Sequence, residues 1–133
     1  MTNRKIGNDF EQELCEILFQ HGFWAHNLKQ DNSGQPADII AVRNKVAYLI
    51  DAKVCSLGGF TLSRKEENQE LAMSLWNECG NGQGWFALKL PTGEIYMISH
   101  ICVKAYGQRQ SVLSFSEIHE LGKPLGKWVE WCK

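Results

Sequence analysis

Two apolar runs separated by a short turn constrain this chain more than any other feature. Residues 37–42 read Ala-Asp-Ile-Ile-Ala-Val and residues 45–54 read Lys-Val-Ala-Tyr-Leu-Ile-Asp-Ala-Lys-Val, with Arg43-Asn44 as the turn between them. Runs rich in β-branched and aromatic residues around such a break read as a β-hairpin. Each run also carries charge where charge is expensive. Asp38 lies twelve intervening residues before Asp51-Ala52-Lys53. Side chains alternate along a strand, so Asp51 and Lys53 project from the same side. Two carboxylates and an ammonium in an apolar setting need compensation. A divalent cation with a phosphate group compensates all three, whereas a simple Asp51–Lys53 ion pair neutralises two of them. The spacing alone leaves both readings open.

Composition narrows the class. A chain of 133 residues with 44% hydrophobic and 22% charged residues reads as one soluble domain with a real core. That domain is expected to have a core over about residues 7–100 and C-terminal additions over residues 101–133. No apolar stretch is long enough to span a bilayer, and residues 1–7 lack the apolar centre of a secretory signal. The five cysteines are scattered without a Cys-x-x-Cys, and the four histidines lack metal-ligand spacing. Reduced thiols in a cytoplasmic setting are expected, and zinc is not. The net charge of −1 is unlike the basic surplus of most nucleic-acid binders. Acidic metal ligands can nevertheless offset basic phosphate contacts in the total while lying apart from them in space.

The pattern along the chain predicts an amphipathic helix over residues 8–22, capped by Asn8 and stopped by Gly22. Phe10, Leu14, Ile17, Leu18 and His21 form its buried stripe. A strand follows over residues 23–28, then a polar loop over residues 29–36 centred on Ser33-Gly34. After the hairpin, Gly58-Gly59 breaks the pattern. Ser63 and Glu66 form a capping box for a second helix running to Cys79, with Ala72, Leu75, Trp76 and Cys79 facing inward. Strands are expected over residues 84–89 and 94–99 around Pro91-Thr92-Gly93. Short helical pieces follow near residues 101–106 and 115–121. The tail, residues 126–133, reads as a strand or as a segment docked on the body. The order is α-β-β-β-α-β-β, which implies an α/β fold with a mixed central β-sheet flanked by helices.

Glu11 adds to the acidic set. It aligns with Leu14 and Leu18 and borders the apolar stripe, so it faces the sheet. The same carboxylate sits at the third helical position after Asn8, where it also serves the exposed amides of the helix start. Glu11, Asp38, Asp51 and Lys53 together have one coherent chemistry. Hard oxygen ligands suit Mg²⁺ or Mn²⁺, with Asp38 and Asp51 binding directly, Glu11 directly or through water, and the Ala52 carbonyl available. Lys53 would orient the attacking water or neutralise charge on the phosphate.

The pattern Asp38-x₁₂-Asp51-Ala52-Lys53 behind a helical Glu11 resembles the PD-(D/E)xK nuclease superfamily. Pro36-Ala37-Asp38 carries that superfamily's proline, shifted by one residue. Within it, Gly7…Glu11, Ser33-Gly34, Ala37-Asp38-Ile39-Ile40 and Asp51-Ala52-Lys53 resemble the Holliday junction resolvases of archaea. Residues 60–69 are similar to the turn and helix of the RecU-type resolvases. The resemblance covers roughly residues 7–76, and Asp51 stands where the resolvases more often have glutamate.

The resemblance implies a restriction-endonuclease-like core and a Mg²⁺- or Mn²⁺-dependent DNA endonuclease acting on branched, four-way junctions. By the same analogy Ser33 contacts the scissile phosphate, Gly34 lets backbone approach it, and Gln69 reaches the metal-bound water. Ser33-Gly34 also reads as an ordinary turn, and Gln69 as a hydrogen-bonded core amide. Lys29, Arg43, Arg64 and Lys65 are candidate phosphate contacts or solvated surface charges. Two symmetric nicks from one site per chain imply a homodimer, with the C-terminal aromatic residues as interface or as core. A nicking, repair or restriction-type nuclease on linear duplex is the alternative enzyme. A non-catalytic nucleic-acid-binding module is the alternative outside enzymes.

Overall fold

The computed structural model describes residues 2–28, 37–62 and 67–132. Chain order begins with helix α1 (Asn3–Gln20), strands β1 (Trp24–Asn27), β2 (Ile39–Arg43), β3 (Val46–Val54) and β4 (Phe60–Thr61), and helix α2 (Glu67–Glu78). It continues through β5 (Trp85–Lys89), β6 (Ile95–Ser99), α3 (His100–Gly107), β7 (Val112–Leu113), α4 (Phe115–Leu121), β8 (Lys123–Pro124) and α5 (Leu125–Trp131). Among the described residues, six strands form one sheet in the order β1-β2-β3-β5-β6-β8, and β4 pairs with β7 as a separate ribbon. β3 and β5 run parallel, whereas the neighbouring pairs β1–β2, β2–β3 and β5–β6 run antiparallel. This is the mixed sheet expected from the sequence.

Alternation along β3 creates two different cores. Tyr48, Ile50 and Ala52 face α1 and α5, where Phe10, Leu14, Leu18, Trp85 and Trp128 complete one cluster. Leu49 points the other way, into a cluster built from Phe60, Met73, Phe86, Ile98, Val103 and Ile118. Asp51 and Lys53 share that second face by the same alternation. α2 packs on that side through Met73, whose side chain would clash with any Cβ at Gly84 (2.5 Å to Cγ). Gly84 thus lets α2 lie close to the sheet above Asp51.

Several expectations shift. α1 begins at Asn3, five residues before Asn8, and Thr2 is the N-cap, accepting from the Lys5 amide. Three ordinary helix formers, Arg4, Lys5 and Ile6, extend it, and Asn8 sits inside the helix. The hairpin turn is Asn44-Lys45 at φ 54° and 69°, with Arg43 paired to Val46, so it is displaced by one residue. α2 keeps Gln69 inward as expected but is otherwise rotated from the expected face: Met73 is buried, Leu71 and Leu75 are 65% and 58% exposed, and Cys79 is exposed. The capping box of Ser63 and Glu66 lies outside the described residues. The β4–β7 ribbon was not expected at all; Gly59, at φ 106°, permits it by lying against the Leu113 carbonyl.

The tail expected as a strand or a docked segment is helix α5, preceded by the short strand β8, and it is central to packing. Trp128 is fully buried and meets Phe23 (5.9 Å between ring centroids), Tyr48 (5.2 Å) and Trp85 (5.8 Å). Arg43 fastens this arrangement. Its guanidinium donates to the carbonyls of His21 (3.0 Å), Val129 (2.7 Å) and Cys132, and lies 4.3 Å from the centre of the Phe23 ring. One cation therefore serves the C-terminal carbonyls of both α1 and α5. Trp128→Ala is expected to cost roughly 3–5 kcal/mol of stability, the range for deleting a large buried aromatic, in chemical denaturation. Trp131→Ala, at a side chain 52% exposed, should cost less than about half of that.

Candidate active site

The β2–β3 pairing places the two aspartates side by side. Asp38 enters β2 through its amide, which donates to the Ile50 carbonyl (3.1 Å), while its own carbonyl accepts from Leu28 (2.7 Å). Its side chain is 7% exposed, and Oδ2 accepts from the backbone amide of Ala52 at 2.8 Å. This amide therefore fixes the carboxylate of Asp38 between the residues that flank it in β3, Asp51 and Lys53. Asp51 is fully buried. Gln69, 5% exposed on the inner face of α2, donates from Nε2 to Asp51 Oδ1 at 2.7 Å. The Lys53 ammonium lies 3.2 Å from Asp51 Oδ2, a charge contact without an aligned hydrogen bond to that oxygen.

The electrostatics of this group do not close. Burial and the neighbouring Asp38 carboxyl push Asp51 well above the usual carboxylate range, and Lys53 only partly counters them. Glu11 is half-buried on the flank of α1. Burial first, then the charge of Asp38, push its carboxyl up to about 7 against the pull of Lys53 and a hydrogen bond from Asn27. Three acids thus converge in field on one ammonium. Such a site stores unfavourable charge that a cation would relieve, and perturbed acids of this kind cluster at functional sites.

The donor set fits a hard divalent ion. Asp51 Oδ2 is buried with no aligned donor, and the Asp38 carboxyl lies beside it. Among the described residues, no three acidic, imidazole or thiol side chains stand close enough to form a complete cage. Asp38 and Asp51 would supply the one or two carboxylates by which an ion such as Mg²⁺ is commonly held, with waters and phosphate oxygens as its other ligands.

Of the residues expected at the site, the structure brings together Glu11, Asp38, Asp51, Ala52, Lys53 and Gln69. Arg43 is not among them: expected as a phosphate contact, it is committed to three backbone carbonyls on the side of α1 and α5. A turn-adjacent arginine looks like surface charge in sequence because its carbonyl partners come from residues 22 to 89 positions away. Lys29, Ser33, Gly34, Arg64 and Lys65 lie outside the described residues. The structure adds Asn27, which hydrogen-bonds Glu11. Both line an open cleft of about 710 Å³ with Arg4, Asn8, Gln12 and Cys15. Their three- and four-residue spacing along α1 was readable, but only for a helix starting before Asn8.

Comparison with known proteins agrees with this fold. The family model described as archaeal Holliday junction resolvase (Hjc) matches residues 2–120. No curated protein matches the chain. Among solved structures, the chain is similar in fold to the Holliday junction resolvase Hjc of Archaeoglobus fulgidus, from an archaeal hyperthermophile. That match has a TM-score of 0.71 at 19% identity and covers 92% of this chain and 99% of the other. Residues 121–133, beyond the matched family span, supply β8 and α5 with Trp128.

The raised Glu11 carboxyl has a testable sign. Unfolding returns it from about 7 to 4.5, so its contribution to stability is complete below pH 4.5 and is lost as pH rises through 7. Urea unfolding with EDTA present should therefore show wild type losing more stability than Glu11→Gln between pH 5 and pH 7.5. Parallel pH profiles for the two proteins would refute the assignment.

Proposed function

This chain belongs to the archaeal Holliday junction resolvase (Hjc) family, structure-specific endonucleases that resolve DNA junctions, and we propose that Asp38, Asp51, Glu11 and Lys53 are its hydrolytic centre. The observation that carries this reading is the buried Asp51 carboxylate, crowded by Asp38 and only partly offset by Lys53. Asp38 and Asp51 would hold Mg²⁺ or Mn²⁺, with Glu11 contributing directly or through water and the Ala52 carbonyl available as a further donor. Bound there, the ion supplies Lewis-acid polarisation of the scissile phosphate and a more acidic water.

The protein's own groups do the positioning. Gln69 occupies Asp51 Oδ1 and so turns Oδ2 toward Lys53 and the substrate side. The Ala52 amide holds Asp38 beside it. Lys53, with its side chain 12% exposed, keeps a desolvated positive charge where negative charge develops on the phosphate, or orients the attacking water. Ser33 and Gly34 approach the scissile phosphate, and Lys29, Arg64 and Lys65 neutralise phosphates along the arms. Five free cysteines fit a reducing, cytoplasmic setting.

Resolution by two symmetric nicks calls for two sites, and we assign a homodimer to this chain. Leu71 and Leu75, one turn apart on the outer face of α2, are 65% and 58% exposed, and Ile101 on α3 is 55% exposed. A cleft between α2 and α3 that includes Ser74 and Ile101 runs beside them. An apolar patch of this kind on a small protein is the kind of surface a second copy covers. The pair Leu71→Glu and Leu75→Glu should sediment as a monomer and lose paired nicking; an intact dimer would reject this face as the interface.

Cleavage of a labelled four-way junction beside a matched linear duplex tests the activity, with Mg²⁺ and with EDTA. Paired symmetric nicks confined to the junction are expected. EDTA should abolish them, and Asp51→Asn should slow them by roughly 10³-fold, the several kcal/mol a Lewis acid supplies. Unchanged cleavage by Asp51→Asn would remove this site from the chemistry. Equal cutting of the duplex would favour a nuclease for linear DNA on the same site.

A further inference from the structure

The cross-strand register places an exposed aromatic pair on the same sheet face as the acidic centre. Leu49, Asp51 and Lys53 share one face of β3; Leu49 is opposite Ile40, and Ile40 is opposite His26 on β1. Trp24, opposite Val42, continues the same row. Ile40 packs at the edge of the cluster containing Leu49 and Met73, which confirms its side. Ala25 between the two aromatics points the opposite way, into the α1 core. Trp24 and His26 therefore stand on the substrate side of the sheet.

The pair is organised rather than incidental. Trp24 is 57% exposed and His26 is also exposed, yet their rings stack at 5.8 Å between centroids and 18° between planes. Among the described residues, β1 is an edge strand of the six-stranded sheet. Strand geometry puts the two residues roughly 12–16 Å from Asp51, two strands across and two to four residues along. At about 3.4 Å per base step, that is a reach of some four nucleotides from the scissile bond.

We propose that the Trp24–His26 stack is a nucleobase platform that caps an exposed base face at the branch point of the junction. This rests on the reading of the acidic centre as the site of strand cleavage. Its occupant is DNA because the stack is continuous with that centre on one sheet face. A plain duplex presents no free base face to a flat aromatic surface, since every base is stacked on both sides. A branch point does, wherever an arm unstacks from its neighbour. Base–aromatic stacking is also sequence-tolerant and contributes without a phosphate contact of its own. It supplies discrimination to a chain whose net charge of −1 leaves little for phosphate attraction to provide. The platform thus explains how branched and linear DNA are told apart by a protein that is not strongly basic.

The test uses the dimeric protein in EDTA, with junction and matched duplex carrying 2-aminopurine within four nucleotides of the branch point. Wild type should perturb the probe fluorescence at one or two of these positions. Trp24→Ala should abolish that signal and weaken junction binding roughly 5- to 100-fold while leaving duplex binding unchanged; Trp24→Phe should retain most of both. Circular dichroism establishes that each variant is folded. Wild-type junction affinity and signal in folded Trp24→Ala would overturn the platform. So would a monomeric Trp24→Ala, which would make the stack a contact between subunits. Failure of the wild type itself to cut junctions with Mg²⁺ would instead overturn the cleavage reading, so the two failures remain distinct.

Discussion

The hydrogen bond from the Ala52 amide to Asp38 Oδ2 is the contact on which the site depends. A backbone amide within a strand is placed by the ladder, and the ladder here is fixed by apolar pairs such as Ile39 with Ile50 and Ile40 with Leu49. A one-residue slip of β3 would carry Asp51 to the α1 core and Ala52 to the substrate face. The register that buries Ile50 is thus the register that sets two carboxylates beside one ammonium. Hydrophobic packing supplies the precision, and the unfavourable charge is held in place by it.

Much of this was legible in the sequence because its signals are local. Period-two patterning gave the β2–β3 pair that sets Asp38 beside Asp51, and the helical stripe put Glu11 on the flank where its carboxyl feels Asp38 and Lys53. The failures have a common physical origin in tertiary partners. α2 offered Leu75 and Cys79 as core residues, yet Met73 fits against Gly84 and Gln69 finds Asp51, and these contacts set the rotation of the helix. The helix start at Asn3 has only a threonine cap to announce it. Two-residue strands such as β4 and β7 are too short to show a period. Arg43 was legible as a cation but not as the fastening of two helix ends, because its partners are remote in sequence.

The distribution of charge and aromatic surface gives the molecule two working sides. On the α1 and α5 side, cations and rings are spent on construction: Arg43 on carbonyls, Phe23, Tyr48 and Trp85 around Trp128. On the opposite side, α2 brings Gln69 to Asp51, and Trp24 and His26 of β1 are exposed. The same face therefore carries the two aspartates proposed to hold the metal and, farther along the sheet, an exposed aromatic pair, while Glu11 reaches the centre from α1. Net charge is a poor guide to such a protein, since a total does not show that three of its fifteen acids converge on one centre.

Titration calorimetry of Mn²⁺ or Mg²⁺ into the DNA-free protein, for wild type and Asp51→Asn, tests the central claim most directly. The acidic pair should bind the ion in wild type, raise its melting temperature as the ion is added, and lose both effects in the folded variant. Identical heats and identical melting shifts in the two proteins would show that the buried aspartates are a closed ion-pair network and not a metal centre.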